Sequence, residues 1–519
     1  MRWRSKPEPR QAPAQPSLAE QVAVNLANLQ AMLGHSSDLV VRELRAVGNT
    51  RTAAVYLDGI SDKDKINAYI FHSLLTESNQ LPKKPSQEDG SAEDNLLRFM
   101  QSHALAVGEV KLAQDWDTVI LSVLSGDTVL FVEGHAEALV CGTKGGQHRS
   151  VEEPSTQLVI RGPKESFTES IGTNVALVRK RIRSKNLRLE TMKIGLVTQT
   201  DVAVMYINGI ASEKIVKEIK DRLHQIDTDA ILESGYIEQW IEDESNTPFP
   251  TIYNTERPDT VAGNLLEGRI AIFVDGTPFV LIAPTTFFMH FQSSEDYYQR
   301  FPVTSFIRLL RYGAFLIALF GPSVYIAAIT FHQEMIPTEL LISLAAQRDS
   351  VPFPAFIEAL LMEVAFEILR EAGVRMPRAV GQAVSIVGAL VLGQAAVEAG
   401  IVSSMMVIVV AITGISSFAN PSFGMSLGVR VVRFLMMVAA ALFGFYGMAV
   451  FSLLILTHMC SLRSFGIPYM SPFAPFILED HKDTLVRFPH KKLFARPRLI
   501  SQQNMSRQGT QSRPDEEGS

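Results

Sequence analysis

Only two cysteines, Cys141 and Cys460, occur in 519 residues, which excludes a disulfide framework and a thiolate metal cage and fits a reducing compartment. The phosphate-cradling GxxxxGK[ST] loop, the dinucleotide GxGxxG turn and the HExxH zinc motif are missing. The eleven histidines are scattered without ligand spacing, so no catalytic residue, no metal and no cofactor is expected. A basic excess is lacking too. Against 54 Asp and Glu stand 48 Lys and Arg, a net charge of -6, without the basic footprint of a dedicated nucleic-acid binder. The opening MRWRSKPEPRQAPAQP is basic and proline-rich but has no apolar core or small-residue cleavage site, so the region after it is expected to stay cytoplasmic.

The largest deficit is charge in the second half. Charges are frequent up to about Phe301, whereas long runs between Tyr312 and Met459 carry none, so two unlike regions share the chain. Tyr312–Phe331 supplies about 20 uncharged residues, enough to match the hydrocarbon thickness of a bilayer, with Arg308 and Arg311 placing its start on the cytoplasmic side. A kink is expected at Gly321-Pro322, whose freed carbonyl a neighbouring helix can satisfy. Further spans are expected at Ala383–Ala399, Met405–Ala419 and Phe434–Met459. Ala389 with Gly393, Ala396 with Gly400, and Ala440 with Gly444 are small-xxx-small pairs that let helices approach closely in lipid. Phe287–Phe291, the run FFMHF, reads as an interfacial anchor.

The polar half contains an internal repeat. Ala54-Val-Tyr-Leu-Asp-Gly-Ile60 matches Val204-Met-Tyr-Ile-Asn-Gly-Ile210, and Gly126-Asp-Thr-Val-Leu-Phe-Val-Glu-Gly134 matches Gly268-Arg-Ile-Ala-Ile-Phe-Val-Asp-Gly276. The shared order and offset favour duplication of a small unit: a strand (Ala53–Leu57; Val202–Ile207), a helix (Asp62–Leu75; Glu213–His224), then a hairpin at Glu-Gly or Asp-Gly. The fold class is therefore an α/β soluble N-terminal region of two similar subdomains, followed by an α-helical transmembrane bundle. The boundaries read as a basic, proline-rich tail 1–25, a first subdomain 26–150 interrupted by a loop at Ser78–Asp94, a linker 151–190, and a second subdomain 191–300. A transmembrane domain 301–462, a basic segment 463–500 and a disordered tail 501–519 follow. The cluster Arg179-Lys180-Arg181-Ile182-Arg183 reads as a solvated helix face, or as a surface for a partner or anionic lipid.

Ala355–Glu371, AFIEALLMEVAFEILRE, is the most telling segment. Glu363, Glu367 and Glu371 recur every four residues and form one helical stripe, with Glu358 a turn earlier, while Leu360, Leu361, Val364 and Ile368 cover much of the rest. Each acid facing lipid at the bilayer centre costs about 2.5–3.5 kcal/mol on insertion scales. The helix either lies flat with its carboxylates in water, or turns them to a wet cavity or pore within an assembly. Arg370, Arg375 and Arg378 mark one cytoplasmic loop if this helix spans, and Arg430 with Arg433 mark another. Counting onward then puts the C-terminus outside, against the basic run from Lys482 to Arg498, and an even number of spans reconciles the two.

Several long words carry a family resemblance. In the polar half they are Ser150-Val-Glu-Glu-Pro-Ser155, Arg161-Gly-Pro-Lys-Glu-Ser-Phe-Thr-Glu169, Ile231-Leu-Glu-Ser-Gly-Tyr236, Thr255-Glu-Arg-Pro-Asp259, Asp275-Gly-Thr-Pro-Phe279 and Ser293-Ser-Glu-Asp-Tyr-Tyr298. In the apolar half they are Phe331-His-Gln-Glu-Met-Ile-Pro-Thr-Glu339, Val351-Pro-Phe-Pro354, Glu367-Ile-Leu-Arg-Glu-Ala-Gly373, Gly381-Gln-Ala-Val-Ser-Ile-Val-Gly388 and Cys460-Ser-Leu-Arg-Ser-Phe-Gly466. From about Leu26 to about Arg498 the chain resembles the A subunits of GerA-type spore germinant receptors. The resemblance implies a multi-pass protein of the spore inner membrane whose N-terminal region faces the spore core. It also implies two partners, a transporter-like B subunit that binds the nutrient and a lipoprotein C subunit. It implies a ring of A subunits that releases cations when germinant binds, with Glu358, Glu363, Glu367 and Glu371 as candidates for the ion path. A non-conducting scaffold, a transporter component and a sibling subunit of the dipicolinate-release machinery are the alternatives.

Overall fold

The structure, a computed structural model, describes residues 17–46, 50–76, 109–145, 153–154, 156–376, 393–502 and 504–507. The terminal tails up to residue 16 and beyond 507, the Ser78–Asp94 loop and most of the expected span Ala383–Ala399 lie outside the described residues. Two compact units emerge, one of Met1–Pro154, Pro163–Ile237 and Asn254–Leu281, the other of Ser155–Gly162, Glu238–Tyr253 and Ile282–Ser519.

The first unit begins with α1 (Val22–Leu33) and a five-stranded sheet of β1 (Leu39–Ala46), β2 (Thr50–Leu57), β3 (Val110–Ala113), β4 (Thr128–Val132) and β5 (Ala138–Cys141), in the spatial order β1-β2-β4-β5-β3. Alternation along β2 sends Ala53, Val55 and Leu57 to a core shared with Leu26 and Leu29 of α1 and with Val119 and Val123 of α2 (Trp116–Leu124). Ala54 and Tyr56 point the other way, onto Ile66, Ile70 and Leu74. With both faces covered, the strand reads as a continuous apolar run, which the period of two resolves. The helical run over Ile66, Ile70 and Leu74 is built from Lys63–Lys65, a wider-wound stretch Ile66–Phe71, and His72–Thr76.

A second sheet repeats the plan. After α3 (Ile171–Arg181) come β6 (Leu187–Ile194), β7 (Thr200–Ile207), β8 (Tyr253–Thr255), β9 (Ile270–Val274) and β10 (Val280–Ala283), in the order β6-β7-β9-β10-β8. The helices of this copy are α4 (Glu213–His224), α5 (Ser234–Ile241) and α6 (Pro258–Leu266). The central antiparallel pairings correspond, Thr52 opposite Val132 through Val55 opposite Val129 in one copy, Val202 opposite Val274 through Met205 opposite Ala271 in the other. The turns correspond as well: φ is +80° at Gly59 and +78° at Gly209, and +87° at Gly134 and +89° at Gly276. These are left-handed values that glycine adopts without the Cβ penalty. Duplication, expected from two short matched words, is thus present in topology, register and turn conformation.

Within the basic cluster 179–183, Arg179 departs from both readings, while Arg183 is exposed and Lys180 and Arg181 are half-buried. Arg179 lies on α3 but is 1% exposed, gripping Asp38 through Nε to Oδ2 at 2.7 Å and Nη2 to Oδ1 at 2.9 Å, with Ser36 Oγ at 2.7 Å from Nη2. Such a two-pronged guanidinium–carboxylate pair compensates both charges away from water.

The second unit is helical: α7 (Phe301–Thr330), α8 (Thr338–Arg348), α9 (Ala355–Arg375), α10 (Ser404–Phe418) and α11 (Phe423–Ser461). Two of these, α7 and α11, are long and apolar enough to cross a membrane. The run FFMHF, expected as an interfacial anchor, is buried within this unit. Phe287, Phe288 and Phe291 form its buried centre, with Phe291 stacked on Tyr312 at 4.4 Å and Phe288 on Phe473 at 4.7 Å.

Where the sequence suggested one span over 434–459, α11 doubles back. At Gly444 φ is 60° and ψ is -142°, outside the helical region. A straight helix would separate positions 428 and 458 by about 45 Å at 1.5 Å per residue. Both nevertheless abut the segment 247–249: Gly428 packs against Pro248 and Phe249, and His458 Nε2 is 2.9 Å from Thr247 Oγ1. The element is two antiparallel arms, 423–443 and 445–461. Met425 and Val429 therefore share a core with Met459 and Leu462, while Met436 and Ala440 share one with Met448. The extra crossing brings the chain after α11 back to the end of the bundle where α7 starts. There Arg308 Nη1 bonds the Asp483 carboxylate at 3.0 Å and its carbonyl at 2.7 Å, and Ser305 Oγ donates to the Arg487 carbonyl at 2.9 Å. The basic segment and the start of α7 thus share one side, as the charge pattern requires.

Candidate functional site

α9 forms because AFIEALLMEVAFEILREAGVR is rich in Ala, Leu, Met and Glu, strong helix formers. Its acids do not share one fate. Glu358 is fully buried, receiving the Ser403 N–H at 3.0 Å and pairing with Arg348 at 3.2 Å. Glu363, 1% exposed, lies 2.9 Å from Nη2 of Arg433, itself 1% exposed. Glu367 takes the same Arg433 at 3.3 Å and Arg430 at 3.8 Å, and is joined by Arg370 from its own helix. Glu371 is exposed and, among the described residues, pairs with Arg375, one turn on, at 2.6 Å. The outward stripe of α9 runs through Leu361, Val364 and Ile368 to Glu371.

Three of the four candidate acids therefore face their own bundle, each beside an arginine that the sequence reading did not connect to it. Arg430 and Arg433 had been assigned to a cytoplasmic loop; they sit inside the first arm of α11, buried. A signal was available, since they are the only charged residues between Glu398 and Arg463, and ionisable groups in such a run normally have buried partners.

The small residues separate similarly. At Gly321 a Cβ would lie 2.7 Å from the Thr413 hydroxyl of α10, so this glycine, beside Pro322 inside α7, sets a close helix approach. Gly393 packs with its Cβ position 3.5 Å from Val407. Gly400, at φ +66°, ends a helix: the N–H groups of Ile401 and Val402 bond back to the Ala396 carbonyl, a left-handed termination. Ala389 lies outside the described residues. Gly424-Met-Ser-Leu-Gly428 has the GxSxG spacing of a hydrolase elbow, which corrects the expectation that the chain holds no GxSxG word. Ser426 is buried within α11 and donates to the carbonyls of Ser417 and Ser422 at 3.2 Å, so the strand-turn-helix setting that exposes a nucleophile is absent here.

A second charged cluster anchors the segment after α11. Asp296 receives Arg308 at 3.0 Å and Arg311 at 2.9 Å, while Asp483 receives Arg308 and the Tyr297 hydroxyl, the latter at 2.7 Å. Burial pushes the Asp483 carboxyl above its ordinary range, against the opposing pull of Arg308 and Tyr297.

The two cysteines differ in reach. Cys141 is buried and its thiol is pushed up to about 12 by burial, with Asp127 adding to the shift, whereas Cys460 is exposed. Only the thiolate reacts, so a membrane-impermeant maleimide is expected to label Cys460 alone in intact membranes, and only from the face that bears the C-terminal segment. Mass spectrometry of labelled chains checks this, and labelling at Cys460 from the opposite face would contradict the doubled-back α11.

The family of Bacillus/Clostridium GerA spore germination proteins matches residues 27–499. The chain is 52% identical over 503 residues to "Spore germination protein KA" of Bacillus subtilis (strain 168), covering 96% of this chain and 90% of that protein. It is 43% identical over 505 residues to "Uncharacterized membrane protein YfkQ" of the same organism, covering 97% and 95%. Among solved structures, the N-terminal domain of the A subunit of the Bacillus megaterium spore germinant receptor GerK3 is 46% identical, covering 52% of this chain and 98% of that one, with a TM-score of 0.40.

Proposed function

Since the chain belongs to the GerA spore germination family, we propose that it is the A subunit of a nutrient germinant receptor in the spore inner membrane. In this reading A subunits assemble in a ring, act with a transporter-like B subunit and a lipoprotein C subunit, and release cations when germinant binds. The two sheets of the first unit lie on the spore-core side. One observation supports conduction above the rest: Glu363, Glu367, Arg430 and Arg433 meet in the interior of an apolar helical unit, and ionisable groups so placed mark ion pathways. The same pairing favours the second reading, a non-conducting scaffold whose acids are already compensated.

Potassium release from proteoliposomes holding the complete receptor separates the two. A mixture of L-amino acids and monosaccharides is expected to trigger release, and Glu363→Gln with Glu367→Gln is expected to lower the triggered rate on the order of tenfold, a change in barrier of about 1.4 kcal/mol. Triggered release that is absent in the wild-type complex, while the spores themselves germinate, would establish the scaffold.

A further inference from the structure

Between α9 and the first arm of α11, two carboxylates (Glu363, Glu367) meet three guanidinium groups (Arg370, Arg430, Arg433). With all five ionised the cluster holds a surplus positive charge, so in this conformation it repels a cation. The stripe that α9 turns outward is Leu361, Val364 and Ile368, ending at Glu371, whose exposed carboxylate is already paired with Arg375. Conduction along the acids therefore requires them to leave the arginines.

The bonding suits separation. Arg433 approaches Glu363 at 2.9 Å, yet both Glu363 oxygens and the Arg433 Nε lack hydrogen-bond partners among the described residues. The Arg179–Asp38 pair, by contrast, is aligned through two hydrogen bonds. Charge without alignment holds Glu363, so its grip is weaker and less directional than a fork-to-fork pair.

We propose that Arg433, backed by Arg430, is the positioning residue that holds the acidic stripe of α9 inside its own subunit while the receptor is at rest. Triggering moves α9 and the first arm of α11 apart, and the freed carboxylates become available to permeant cations. This inference rests on the conducting reading above and assigns its resting state.

The test is potassium release from proteoliposomes holding the complete receptor, measured without nutrient. Arg433→Gln is expected to raise the untriggered leak on the order of tenfold or more, because one buried acid is left uncompensated. Adding Glu363→Gln to Arg433→Gln is expected to return the leak to near the wild-type level, and Arg433→Lys to keep most of the lock. An Arg433→Gln complex that accumulates normally, responds to nutrient and does not leak would overturn the proposal, as would a double variant that leaks as much as the single. Should Arg433→Gln fail to accumulate, Arg433→Lys and the double variant carry the comparison. Should the wild-type complex not conduct, the conducting reading fails by itself, and thermal melting of the full chain in detergent then judges the lock. A double variant melting higher than the two single shifts sum to supports the pairing, and additive shifts overturn it.

Discussion

Asp296→Ala is expected to destabilise the second unit by about 3–5 kcal/mol, the cost of leaving a buried charge without its partner. Asp296 serves two cations at once, Arg308 at 3.0 Å and Arg311 at 2.9 Å. Arg308 is fully buried and would retain only Asp483 and nearby carbonyls. Asp296 also receives the Ser293 N–H at 3.4 Å in the capping box of the short turn Ser294–Tyr297, so a cap is lost as well. Thermal denaturation of the full chain in detergent, followed by proteolysis of the second unit, is expected to show a midpoint lowered on the order of 10 °C. The double variant Asp296→Asn/Arg308→Met, which removes both charges, is expected to recover part of the loss. Arg51→Ala supplies the contrast. Its partner Glu43 is 2.7 Å away but the two side chains are 48% and 47% exposed, so a change within about 1 kcal/mol is expected. Equal midpoints for Asp296→Ala and wild type would mean that the cluster does not anchor the segment after α11.

Gly444→Ala is the second large effect, expected to cost about 2–5 kcal/mol by combining backbone strain with overpacking. At φ 60° and ψ -142° the backbone occupies a region that a Cβ disfavours. The added methyl would also stand 2.8 Å from His332 Cε1 and 3.0 Å from Phe331 Cβ, with little room to give. Because Gly444 is the reversal itself, the variant is expected to loosen the two arms of α11 from each other. The readout is accelerated protease cleavage near 444 together with a lowered melting midpoint. Ser452→Ala, further along the second arm and away from the reversal, is the control expected to leave both readouts close to wild type. A Gly444→Ala chain with unchanged cleavage and midpoint would show that α11 tolerates a side chain at its turn.

Much of the α/β region was legible from residues alone. Glu213–His224 was read to the residue, since Ile215, Val216, Ile219 and Leu223 are spaced for one buried helical face. Strands β2 and β7 extend only a few residues beyond their expected starts. The glycines that close the repeated turns were visible as matched words before their φ values were known. Other features were not legible. Arg179 looked like part of a solvated basic face because its partner Asp38 is 141 positions away, and no local pattern encodes such a pairing. For the same reason Arg430 and Arg433 read from the sequence as loop markers. Their acids lie 63 or more residues upstream, and hydropathy records that a charge interrupts an apolar run without recording what compensates it.

Residue order alone sets the division into a polar duplicated region and an apolar helical one, the family, and the positions at which charge enters the apolar part. Those follow from composition, periodicity and glycine placement, which are local along the chain. The tertiary structure alone decided that α11 doubles back at Gly444, that the last basic segment returns to the start of α7, and that the acids of α9 face arginines of their own subunit. These depend on which surfaces meet. In an apolar bundle a buried carboxylate must find an opposite charge, but which arginine it finds is set by helix packing across dozens of residues.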